Sequence, residues 1–178
     1  MKKIIHPQNP SFLKGYYLGI ELTKDEVDIS DIERIAKSRG FREQDYHHIT
    51  VLHQSSFLSL FNKFSSFEQK KVLEKIEDLI QDIDWSFTPK NIYYVAGLVP
   101  ASKTGTVDES REAYIRTIEM PGIDLFITKL NKILNGNITL RFPHITLFTK
   151  GENKNPKYYG IPINTIEEFK KLTTKKII

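Results

Sequence analysis

The chain contains no cysteine in its 178 residues. That excludes a disulfide framework and any thiolate metal centre, and it fits a reducing, cytoplasmic setting. It also lacks a long apolar run: nothing approaches the about 20 consecutive residues a membrane span needs. The opening segment Met1–Pro7 carries two lysines but no apolar stretch long enough for a signal peptide. Excess charge of one sign is scarce too. A net charge of +4 permits an anionic ligand but is too small for wrapping nucleic acid. Basic and acidic residues interleave until the C-terminal third, where Lys150, Lys154, Lys157, Lys170, Lys171, Lys175 and Lys176 gather; this reads as a solvated basic surface. The remaining composition is that of an ordinary globular protein, with length enough for one well-cored domain over 1–178, with or without two lobes.

What the chain does have is one tripeptide twice, His48-Ile49-Thr50 and His144-Ile145-Thr146. Each copy lies in an apolar, β-prone run, from Tyr46 to Leu52 and from Phe142 to Phe148. Side chains alternate between the faces of a strand. Each triplet therefore offers an imidazole and a hydroxyl to one face and an isoleucine to the other. His47 should face away from His48 and reads as structural, as does His53.

The rest of the chain supplies a frame for these two strands. Tyr16–Leu22 reads as a strand, and Ser30 with Glu33 as a capping box opening a helix that Gly40 closes. Phe57–Phe61 fits either a helical turn or a loop over the core. Ser65 with Glu68, or Ser66 with Gln69, opens a longer helix whose apolar residues Val72, Leu73, Ile76, Leu79, Ile80 and Ile83 mark one buried face. Two strands are expected at Trp85–Thr88 and Asn91–Leu98, joined through Pro89 and Lys90. Pro100–Glu109 reads as a mobile loop or lid. A strand at Ala113–Glu119 is broken by Pro121-Gly122, and a helix at Ile123–Asn135 is closed by Gly136. A strand around Tyr158–Ile163 and a helix capped by Thr165 with Glu168 complete the chain.

The layout repeats. Gly40 stands eight residues before His48, and Gly136 eight before His144. Each half runs strand, helix, glycine stop, motif strand, which suggests two lobes about a pseudo-two-fold axis, with the motif strands face to face across a cleft.

Such a pair suits phosphodiester chemistry. An unperturbed histidine titrates near ~6.5, so one can be neutral while the other is protonated. Acting as base and acid, each proton transfer contributes roughly 10²–10⁴-fold without a metal. The threonine hydroxyls, about 6.5–7 Å along the same face, can donate to nonbridging phosphate oxygens. Tyr46 and Phe142 share the faces of the histidines that follow them and could stack on a base. Tyr17, Arg141, Lys150 and Tyr158 are further candidates for gripping phosphate or base, as is Lys103 in the candidate lid. A zinc site from His47, His48 and His53 is disfavoured because adjacent strand residues diverge and no nearby carboxylate completes it. No metal or cofactor is expected.

The two motifs, with Pro143 before the second, resemble the signatures of the two-histidine (2H) phosphoesterase superfamily, and the element order extends the resemblance from about Tyr16 to about Ile163. The resemblance implies a bilobal α+β fold, two antiparallel sheets lining a central cleft with helices outside. It implies His48 and His144 as the acid/base pair, Thr50 and Thr146 as phosphate binders, and metal-independent chemistry on a nucleotide or RNA phosphodiester. The substrate would be a 2′,3′-cyclic phosphate, a 2′-5′ oligonucleotide or a cyclic oligonucleotide. A monomer is expected. Two other readings are a non-catalytic nucleotide- or RNA-binding domain that keeps the cleft, and a metal-dependent hydrolase using the same histidines.

Overall fold

The computed structural model describes residues 4–13, 17–100, 107–151 and 160–177; Lys103 and Tyr158 lie outside them. Among the described residues the order is β1 (Ser11–Leu13), β2 (Tyr17–Leu22), α1 (Ser30–Ser38), β3 (Arg42–Glu43), β4 (His47–His53), α2 (Gln54–Phe61), α3 (Ser66–Asp82), β5 (Thr88–Val99), β6 (Glu109–Glu119), α4 (Pro121–Leu134), β7 (His144–Gly151), α5 (Ile166–Lys171) and β8 (Thr173–Lys176). The strands form one antiparallel sheet in the order β1-β2-β4-β7-β6-β5-β8, with β3 also pairing β7. The α+β class is as expected. The two facing sheets are not found: the halves β1-β2-β4 and β5-β6-β7 join edge to edge at β4 and β7. One reason is the core beneath. Ile49 and Ile145, the inward residues of the two motifs, are 0% and 1% exposed and belong to the same apolar cluster, so both strands serve one shared layer of helices.

The repeat is exact in register. In the first half Ile20 pairs Ile49 and Glu21 pairs His48. In the second, Arg116 pairs Ile145 and Thr117 pairs His144. Every one of these residues lies 96 positions from its counterpart. The irregularities repeat as well. The ladder steps from Leu18↔Leu52 to Gly19↔Thr50, leaving Val51 as an extra residue. It steps likewise from Tyr114↔Phe148 to Ile115↔Thr146, leaving Leu147. A bulge therefore follows each motif threonine and reverses the alternation behind it. Leu52 and Phe148 return to the core, and beyond each bulge the next polar residue, His53 or Thr149, takes the face of the motif residues.

Helices α1, α3 and α4 cover one face. Ile32, Ile76, Phe126 and Leu130 pack there against Ile20, Ile49, Ile145 and Leu147. A smaller cluster of Val95, Ala113, Ile115, Ile161 and Ile163 lies on the other face. The α3 stripe is buried as expected except for Leu73, which is 37% exposed. Its capping box forms, with Ser65 N donating to Glu68 Oε2 at 2.9 Å. The α1 box does not: Ser30 is the first helical residue, and its N and Oγ donate to Asp28 Oδ1 at 3.1 and 2.6 Å.

Several expected elements differ. Phe57–Phe61 belongs to α2. The two strands expected at 85–88 and 91–98 are one strand, β5, starting at Thr88. Pro89, which lacks an N–H, is accommodated because the ladder is irregular between Pro89 and Ile92 and because β8 covers only Tyr93–Ala96. Residues 160–163 run without ladder pairing where a strand was expected, and β8 is a strand no sequence signal marked. The α4 stop is Asn135, at φ +46°, rather than Gly136. Gly40 does take the left-handed conformation, at φ +77°. Gly136 serves close approach instead: a Cβ there would run into Leu60. No described helix is long and apolar enough to cross a membrane.

Candidate functional site

Ile49 and Ile145 form the ladder pair that joins the halves. Continuing that antiparallel register by one residue either way sets His48 opposite Thr146 and Thr50 opposite His144. All four are half-buried, on the face that α1, α3 and α4 leave uncovered. The two histidines are diagonal neighbours across the pair, a relation that puts Cα atoms about 7–8 Å apart. The four residues that the sequence singled out are thus gathered on one patch, around the Ile49–Ile145 pair.

The residues two before each histidine repeat as well. Tyr46 stacks on His48 with ring centroids 5.2 Å apart and planes 26° apart. Phe142 stacks on His144 at 5.8 Å and 28°. Phe142 also stacks on Phe169 of α5 at 4.6 Å and 22° and packs against the smaller core cluster. Its ring is therefore engaged within the fold, a correction to its expected base-stacking role. Tyr46 is half-buried beside His48.

His144 is oriented by its own strand entry. Its Nδ1–H donates to the Phe142 carbonyl at 2.9 Å, which leaves Nε2 as the acceptor nitrogen of the neutral ring. Part of the residue's surface stays accessible, yet protein packs closely round the ring. Desolvation is the largest influence and holds His144 below the usual imidazole range; the bond to Phe142 opposes this, and the nearby Arg141 charge adds to it.

The other expected contacts divide. Arg141 spends Nη2 on Asn164 Oδ1 at 2.6 Å, and the Phe142 N–H donates to the Asn164 carbonyl at 2.9 Å. Burial lowers the Arg141 pKa against a partly compensating Glu168. Arg141 is thus a buttress for the segment beside His144. Lys150 faces the helical side, because the bulge at Leu147 reverses the alternation. Its Nζ donates to the Arg39 carbonyl at 3.1 Å and lies 5.5 Å from the Phe41 ring centroid. That placement removes it from the motif patch, a second correction. Tyr17 pairs His53 in the ladder, at the far end of β4 from His48.

Sequence reasoning missed a clamp on the motif face. Glu109, expected in the loop, is the first residue of β6 and 4% exposed. Arg111 donates from Nε and Nη2 to Glu109 Oε2 at 3.0 and 2.7 Å, and from Nη1 to the Gly160 carbonyl at 2.8 Å. It ties down the segment whose Asn164 holds Arg141 and Phe142. An i, i+2 Glu-x-Arg on a strand was the available signal. Glu21 and Thr117, the cross-strand neighbours of His48 and His144, were missed because pairing across β2 and β6 is not written in either strand alone.

Among the described residues no group of three or more His, Asp or Glu side chains could hold a metal ion. A groove of about 420 Å³ between α3 and α4, walled by Lys75, Asp78, Lys129 and Lys132 among others, shares no residue with the motifs. Comparison with family models, curated proteins and solved structures found no match.

Proposed function

We propose that this chain is a metal-independent phosphodiesterase of the two-histidine kind, acting on a nucleotide or RNA phosphodiester. The observation that carries the reading is the exact repeat about Ile49 and Ile145, which gathers two imidazoles and two hydroxyls on one patch. A diagonal pair of imidazoles about 7–8 Å apart at Cα leaves room for a phosphate between them. Binding alone would not call for two titratable groups in matched positions.

The two histidines divide the work. His144 donates Nδ1–H to a carbonyl and is held below the usual imidazole range, which suits Nε2 to act as base. His48 is then the acid. On a 2′,3′-cyclic phosphate, His144 Nε2 takes a proton from water, and the water oxygen bonds to phosphorus. The bond from phosphorus to one ribose oxygen breaks, and His48 gives that oxygen a proton. Thr50 and Thr146 donate to the nonbridging oxygens, where charge concentrates in the transition state. On an internal linkage a neighbouring ribose hydroxyl replaces water as the nucleophile.

A panel of 2′,3′-cyclic mononucleotides, 2′-5′ oligoadenylates and cyclic oligonucleotides tests this in EDTA, with products separated by mass. Turnover of at least one class is expected. Binding without turnover across the panel identifies a non-catalytic nucleotide-binding domain instead, and turnover abolished by EDTA and restored by zinc or manganese identifies a metal enzyme.

A further inference from the structure

His47 breaks the symmetry of the site. Its counterpart 96 positions on is Pro143. His47 is 5% exposed, turned to the opposite face from His48. Its Nδ1 lies 3.1 Å from the backbone carbonyl of Thr146, 99 residues away in sequence. A carbonyl only accepts, so Nδ1 carries the hydrogen. The other ring nitrogen is 3.8 Å from Glu43 Oε1, within ion-pair range but beyond hydrogen-bond length.

The place of this bond matters. β4 and β7 share one ladder pair, Ile49↔Ile145, and the extra residue Leu147 interrupts β7 immediately after Thr146. From that point the first half follows β7 in a different register. Glu43 pairs Phe148 and Arg42 pairs Thr149, while Gln44 N donates to the Leu147 carbonyl at 3.2 Å. Between the two registers the chain detours through Asp45 and Tyr46, the residue that stacks on His48. The His47 side chain bridges the gap, taking the Thr146 carbonyl where the ladder is broken.

We propose that His47 is a positioning residue, acting through the Thr146 backbone to hold the second motif's hydroxyl in place against the phosphate. The role rests on the phosphodiesterase reading above. His47 itself moves no proton in the reaction. Its imidazole substitutes for a missing strand contact across the seam between the halves, so the two motifs are locked together by a side chain of the first.

The test is a substitution cycle on the substrate that the wild type turns over. His47→Ala should lower kcat about tenfold or more with the limbs of the pH–rate profile unmoved. His47→Asn, which can present an N–H near the Nδ1 position, should recover most of that loss, and His47→Gln, which presents one near Nε2, should not. In a Thr146→Ala background His47→Ala should have little further effect. Full multiplication of the two losses overturns the proposal, as do equal activities for the Asn and Gln variants or a shifted pH limb in His47→Ala. If His47→Ala does not fold, the Asn against Gln comparison decides alone. A wild type inactive on every substrate overturns the phosphodiesterase reading itself, and the positioning role falls with it.

Discussion

Ile49 stands directly opposite Ile145 in the ladder between β4 and β7, and both are sealed in the same core. Those two side chains fix the relative height of the motifs from beneath, so the placement of the motif side chains above depends on packing below. Truncating a buried isoleucine to alanine costs about 2–5 kcal/mol, and to valine about 0.5–1.5 kcal/mol. Ile49→Ala and Ile145→Ala are expected to destabilise by similar amounts in urea titration, because they occupy equivalent positions.

Stability should depend on pH through His144. Desolvation holds its folded pKa below the usual range, so the unfolded chain takes up the proton first. The contribution is fully present above about pH 6.5 and is lost as pH falls from there through the folded value. Urea midpoints at pH 5 and pH 7 check this. His144→Asn should flatten the difference between them.

The clamp on the motif face can be cut at Arg111. Arg111→Leu removes both guanidinium bonds to the buried Glu109 carboxylate, and breaking a buried ion pair from one side costs about 3–5 kcal/mol. Hydrogen exchange should quicken at Ile161 and Ile163, which the Gly160 bond helps to anchor. Unchanged exchange there with lowered global stability would mean that the clamp does not hold this segment.

The two repeated glycines should respond differently. Gly40→Ala meets nothing within 4 Å, but its φ of +77° imposes a backbone cost of about 1–2 kcal/mol. Gly136→Ala meets Leu60 instead. Adding Leu60→Ala should make the Gly136→Ala step less costly and leave the Gly40→Ala step unaltered, as thermal unfolding of the single and double variants would show.

Much of this was legible in the residues themselves. Alternation placed His48 with Thr50 and His144 with Thr146, and the spacing of Gly40 and Gly136 revealed the repeat. Helical periodicity found the buried face of α3. What escaped was set by contacts distant in sequence. Whether the motif strands meet face to face or edge to edge depends on where Ile49 and Ile145 find their core. The bulge at Leu147 turns Lys150 away from the patch, and nothing local in the strand announces it or its counterpart at Val51. Pro89 sits inside β5 because the neighbouring strand ends short of it. β8, all exposed Thr and Lys, has no apolar pattern to betray a strand, and pairing with β5 alone makes it one.

The central claim, that one histidine from each half forms a metal-free acid/base pair, is tested most directly by kcat/KM for the wild type, His48→Ala and His144→Ala in EDTA. The substrate is whichever member of the panel the wild type cleaves best. The account predicts that each variant, still folded by circular dichroism, loses at least about 100-fold, and that the wild-type profile is bell-shaped with its acid limb below about pH 6.5. Near wild-type turnover by either variant would contradict it.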